Sequence, residues 1–348
     1  MQMTDSTMMK RSWGKYSVFV LSNLNGISVE ISDLGASIIK YVVKDKDNHP
    51  CNIVLGYDTP EEYLKDSVYM GAVVGPWGNR IRNAEFKLNG VGVQLDQNEG
   101  TNHLHGGACE LHKKQWKVMA IAQQGISLQT EVKKGEAGYP ANLTFNVTYR
   151  LSDENELAIQ YWVEADEECP INPTHHAYFN LSGQKKDISE HIVSIDADSY
   201  WKTDQQSIPI DHVSVNDTVM DFLNPKKIGI GLLSDHDDIK ATQGYDHCYI
   251  LNGYGLRPVG WVYEPSSGIA LEVISDRPAV QFYTGNNLDE HVRSDGRPFR
   301  KYGGFCFETQ AYPNQINMDG INHDVICSPD RPFRSTTIFK VEVEASFK

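Results

Sequence analysis

Apolar and polar residues alternate along most of this chain, and a period of two puts the apolar side chains on one face of a half-buried strand. Ile27, Val29 and Ile31 follow the pattern, as do Leu143, Phe145, Val147, Tyr149 and Leu151. It returns at Leu157, Ile159, Tyr161 and Val163, at Ile269, Leu271 and Val273, and at Phe339, Val341, Val343, Ala345 and Phe347. Strands are therefore predicted from one end of the chain to the other.

Turn chemistry separates these runs. Asn89-Gly90 stands between two short apolar runs and predicts a two-residue type I′ hairpin, because both central positions need φ > 0. Ser152-Asp153-Glu154-Asn155 joins two of the longest alternating runs. Helical periodicity is confined to short stretches around Glu61 to Asp66 and Lys227 to Asp235. No Pro/Gly/Ser-rich linker, low-complexity stretch or repeat divides the chain. The expected fold is all-β: a large antiparallel β-sandwich with few short helices, forming one domain over residues 1–348, with residues 1–14 a flexible N-terminal segment. The broad concave face of such a sheet lets side chains from distant strands meet around a sugar-sized ligand.

Composition narrows the partners. A formal net charge of -14 disfavours nucleic acid and anionic membranes, which ask for concentrated basic surface. A small neutral or cationic ligand fits better. No apolar run is long enough to span a bilayer as a helix, and the start of the chain lacks an export-signal pattern. The six cysteines are scattered without a CxxC pair, so reduced thiols and a cytoplasmic location are expected. Either a monomer or a homodimer is compatible with the sequence.

Five segments break the strand pattern by concentrating His, Asn, Asp, Glu and aromatic residues: GNRI (78–81), NHLHGG (102–107), NPTHHAYFNLSG (172–183), GYDH (244–247) and GGFCFETQAYPNQIN (303–317). Taken singly, each has a plain structural reading. Asn79 and Arg80 suit a turn cap and a surface ion pair, and Asp246 suits a turn. His103 and His105 would share one face of a strand and, with a carboxylate such as Glu308, could hold a metal ion; equally, Gly106-Gly107 could turn the chain so that His105 closes the strand. His175 and His176 would point to opposite faces of a strand, so only one can enter a given cleft. Glu308 stands apart because it lies in the apolar run Phe305-Cys306-Phe307-Glu308-Thr309, where a carboxylate needs a partner or a task.

One imidazole and one carboxylate suffice to open a cyclic hemiacetal. A base removes the C1 hydroxyl proton while an acid protonates the ring oxygen; rotation about C1-C2 and reversal of both transfers closes the other anomer. The sugar's hydroxyls would need fixed polar partners, available in Arg80, His105, Asp246 and Gln281, and an aromatic wall such as Tyr178 or Tyr283.

With the stretch QFYTGN (281–286), the segments NxLHGG, NP-x-x-H-x-YFNL, GYDH and ETQ-x-YP occur in the order seen in the galactose mutarotase (aldose 1-epimerase) family, which the chain resembles over about residues 70 to 317. The resemblance implies a galactose mutarotase-like β-supersandwich and an isomerase that interconverts α and β anomers of free hexoses such as galactose or glucose. It further implies His176 as general acid, Glu308 as general base, and Arg80, His105, Asp246 and Gln281 as sugar-binding residues, with Asn79 beside them and no metal or cofactor. The chain departs from the family pattern at Pro76, where an Arg is usual, at His175, where an Asn usually precedes the acid, and at Asn314, where an Asp is usual. Three alternatives remain: a cupin-like metal site on His103, His105 and Glu308, a non-catalytic carbohydrate-binding sandwich, and a hexose-6-phosphate 1-epimerase. The last needs clustered cations, of which Arg80 is the one evident candidate in the motifs.

Overall fold

The computed structural model describes residues 9–293, 296–318 and 325–343. All but the first of the alternating runs fall in one nine-stranded antiparallel sheet. Its order is Lys117–Ala122, Gly125–Val132, Leu143–Leu151, Glu156–Ala165, Phe333–Val343, Ile269–Ser275, Arg257–Glu264, Ile192–Ile195 and Lys226–Lys227. Every second residue of Leu143–Leu151 is buried, as the period-two pattern requires. Each fully buried Val, Leu, Ile or Phe side chain contributes about 1.5–3 kcal/mol. Ala345 and Phe347 lie outside the described residues.

Two five-stranded antiparallel sheets accompany the large one. The first runs Met9–Trp13, Tyr16–Ser22, Ser28–Ser32, Ile38–Lys44, Pro50–Asn52 in chain order. Met9–Trp13 pairs residue by residue with the following strand, which corrects the expectation of a flexible segment through residue 14; residues 1–8 lie outside the described residues. The second sheet is ordered Pro209–Ser214, Ser199–Thr203, Asp246–Ile250, Ala279–Tyr283, Cys306–Gln310. It lies against the nine-stranded sheet, the Thr309 hydroxyl bonding that of Thr337.

The predicted hairpin forms at Asn89-Gly90, with φ of 53° and 79° and Leu88 opposite Val91. Helices are few and short: Pro60–Lys65, Ile228–Leu232 and Asp237–Thr242. The last was not anticipated; it is six residues long, too short for a periodic signal to emerge. No helix among the described residues is long and apolar enough to cross a membrane, and the six cysteines are buried and unbridged.

Candidate active site

The strand Cys306–Gln310 shows why Glu308 tolerates an apolar neighbourhood. Phe305 and Phe307 turn toward the core, where the Phe307 ring lies 5.3 Å from that of Phe282, while Cys306 and Glu308 face the other way. In the adjacent registers Tyr283 pairs with Cys306 and Asp246, and Gln281 with Glu308 and Cys248. Asp246, Tyr283 and Glu308 therefore stand on one face of three neighbouring strands. That face floors a cavity of about 430 Å³, within the size range of small-molecule sites.

Loops bring the other walls. A two-residue ladder pairs Arg80 with Leu104 and Ile81 with His103. Asn79, at φ +64°, and His105, at φ +50°, close this ladder with reciprocal bonds: His105 N donates to Asn79 O (3.2 Å), and Asn79 N donates to His105 Nδ1 (3.1 Å). The turn that follows needs glycine at residue 106, where a Cβ would fall 1.8 Å from Gly75 O. Because His105 Nδ1 accepts from a backbone amide, its neutral ring carries the proton on Nε2 and presents a donor to the cavity. Arg80 is gripped by Glu99 through two bonds, Nε to Oε2 at 2.6 Å and an Nη to Oε1 at 2.7 Å.

His176 and Glu308 meet at the centre, with Nε2 3.6 Å from Oε1. Both are almost fully buried. Burial pushes the His176 imidazolium down to about 4 and the Glu308 carboxyl well above its ordinary range, the latter raised further by Asp246 and opposed by Arg80. Both shifts have the same principal cause, because burial disfavours the charged form of each group. Tyr178 walls the site, its hydroxyl donating to Val68 O at 3.0 Å.

His175 leaves on the other side, as a strand requires: its ring lies 5.9 Å from Tyr149 of the nine-stranded sheet. His103 does not join His105. The strand ends at Leu104, and the His103 ring is held by Asp96 O and the Tyr139 hydroxyl, each at 2.9 Å. Gln281, opposite Glu308 in the ladder, donates through Nε2 to Asp246 Oδ1 at 2.7 Å. Among the described residues, His105, His176 and Glu308 offer atoms within 4.8 Å of one another. A ligating imidazole normally donates its second nitrogen's proton outward, leaving a lone pair for the ion; His105 has the reverse arrangement, so this set does not fit a metal.

Tyr69 and Glu99 also line the cavity and were not anticipated. Neither sits in a motif segment, and no periodic signal could have marked them.

The chain matches the aldose 1-epimerase family model over residues 17–340. It is 33% identical to the aldose 1-epimerase of Escherichia coli over 333 residues, covering 94% of this chain and 96% of that protein. It is 36% identical to the galactose mutarotase of Bos taurus over 321 residues, covering 91% and 92%. The solved structure of galactose 1-epimerase from Lactobacillus acidophilus superposes with a TM-score of 0.83 at 28% identity, covering 97% of each chain.

Proposed function

This chain belongs to the aldose 1-epimerase family and is an isomerase that interconverts sugar anomers; we propose that His176 is its acid, Glu308 its base, and a free neutral aldose its substrate. The observation that carries this reading is the 3.6 Å separation of His176 Nε2 and Glu308 Oε1 at the cavity floor. The ring oxygen and the C1 hydroxyl of an aldopyranose share one carbon, so two proton-transfer groups this close can each reach one of them.

In the forward direction Glu308 takes the C1 hydroxyl proton, His176 protonates the ring oxygen, and the C1-O5 bond breaks to give the open aldehyde. Rotation about C1-C2 presents the opposite carbonyl face. As O5 attacks C1, His176 takes its proton back from O5 and Glu308 returns its own to the C1 oxygen, and the ring closes as the other anomer. His105 Nε2–H, Asp246, Asn79 and Arg80 border the cavity and suit the hydroxyls, while Gln281 steadies Asp246. Tyr178 and Tyr283 offer apolar walls.

Charge supports a neutral sugar over a phosphorylated one. Arg80 already has a bidentate carboxylate partner, and Asp246, Glu99 and Glu290 line the same cavity. A dianionic phosphate would meet that acidic rim with the guanidinium engaged. We also read the chain as one catalytic domain acting in the cytoplasm; the family match from 17 to 340 and the unbridged cysteines support this.

The test is polarimetry of fresh α-D-galactose, α-D-glucose and L-arabinose with EDTA-dialysed protein. Accelerated approach to the anomeric equilibrium without metal is expected. Activity that is lost on dialysis and restored by one divalent ion would overturn the mechanism.

A further inference from the structure

A catalytic imidazole is usually oriented by a carboxylate or carbonyl on its second nitrogen. His176 has a weaker neighbour there, the Cys306 thiol, with Sγ 3.6 Å from Nδ1. On the other side Glu308 is 3.6 Å away, beyond ordinary hydrogen-bond length. Rings enclose it instead: Tyr178 at 5.0 Å, His105 at 5.5 Å, Tyr69 at 5.8 Å and Tyr283 at 6.4 Å between centroids.

Tyr69 differs from the others in how it is held. It lies in the loop after the helix Pro60–Lys65, at φ +57°, a region that a bulky aromatic residue seldom occupies unless its surroundings impose it. The imposition comes from Asp66. This buried carboxylate accepts the Tyr57 hydroxyl at 2.8 Å, Val68 N at 3.1 Å and Met70 N at 2.7 Å, so it binds the residues on both sides of Tyr69. Val68 O takes the Tyr178 hydroxyl, and Gly71 N donates to His176 O at 3.0 Å, tying the loop directly to the segment it serves. The Tyr69 ring then meets His105 at 4.6 Å and His112 at 4.7 Å as well as His176. His112 Nδ1 has no hydrogen-bond partner, so it too is placed by packing.

We propose that Tyr69 is a positioning residue for His176, locked in its strained conformation by Asp66, so that aromatic packing takes the place of a hydrogen-bonded orienting partner. The inference rests on His176 being the acid.

The experiment is a double-mutant cycle with kcat and KM read by polarimetry on α-D-galactose, at matched folded fraction. Tyr69→Leu is expected to lower kcat about 10- to 100-fold, since a misplaced catalytic group costs rate steeply, while KM changes less than about 3-fold. Tyr69→Phe keeps the ring and should restore most of the lost turnover. In a His176→Asn background, Tyr69→Leu should cost little more, because its effect acts through the missing imidazole. Water admitted beside His176 should also raise its pKa toward the ordinary value in an NMR titration of Tyr69→Leu. Asp66→Asn should move kcat in the same direction; should it fail to fold, the Tyr69 cycle stands alone. Wild-type kcat in Tyr69→Leu, a rise in KM alone, or additive losses in the double variant would overturn the proposal. Full turnover in His176→Asn alone would instead overturn the acid assignment beneath it.

Discussion

His175 and His176 are neighbours in the chain and strangers in space: one imidazole packs against Tyr149 in the core, while the other stands 3.6 Å from the Glu308 carboxylate. Extended backbone separates them. His176→Asn is expected to lower kcat about 10²-fold or more, because the ring oxygen loses its proton donor. His175→Asn should leave kcat within a few-fold. Neither His175 ring nitrogen finds a hydrogen-bond partner, so His175→Leu should melt no lower than the parent. Equal, severe losses of kcat in both Asn variants would refute the single-acid mechanism.

Glu308→Gln separates catalysis from stability. The amide cannot accept the C1 hydroxyl proton, so kcat should fall about 10²- to 10⁴-fold. The folded-state pKa of Glu308 is raised, so its contribution to stability is greatest in acid and is lost as pH rises above the ordinary carboxylate value. At pH 7 to 8 the neutral variant should therefore melt higher than the parent. A lower melting temperature together with undiminished turnover would contradict both halves.

Acid should unfold this protein through its histidines. Burial lowers His112 and His175 to about 3 and His176, His191 and His247 to about 4, and holds His105 well below its usual value. Below the ordinary value near 6.5 the unfolded chain binds protons that the folded one refuses, so stability falls as pH drops toward the folded-state values. Each such histidine removes about 1.4 kcal/mol per pH unit across that window. In three of them a ring nitrogen accepts a backbone amide, from Asn79, Leu181 and Asp246, and protonation would break that bond. Denaturant melts at pH 7, 6 and 5 test this, and a midpoint unchanged over that range would refute it.

Glu99 should govern what Arg80 can do. Glu99→Gln loosens the bidentate grip, which should raise KM for galactose about 3- to 10-fold with little change in kcat. The freed guanidinium should also make galactose 6-phosphate a stronger competitive inhibitor than it is for the parent. Unaltered KM and unaltered phosphate inhibition would show that the ion pair does not tune the site.

The sequence by itself determined the strands, the hairpin at Asn89-Gly90 and the place of Glu308 in an apolar run, because period-two patterning and turn chemistry are local properties of the chain. It also marked many of the polar groups that line the cavity, since polar and aromatic residues interrupt otherwise apolar runs at the motif segments. What it could not determine was which of those groups meet. His103 and His105 looked like a pair until the left-handed backbone at His105 separated them. That Gln281 and Asp246 would bond each other followed only once strand pairing had brought them to the same face. Tyr69, Glu99 and Asp66 carry no pattern at all: their roles come from loops closing over the sheet face, and contacts between residues far apart in sequence are fixed by packing rather than by any periodicity of the chain.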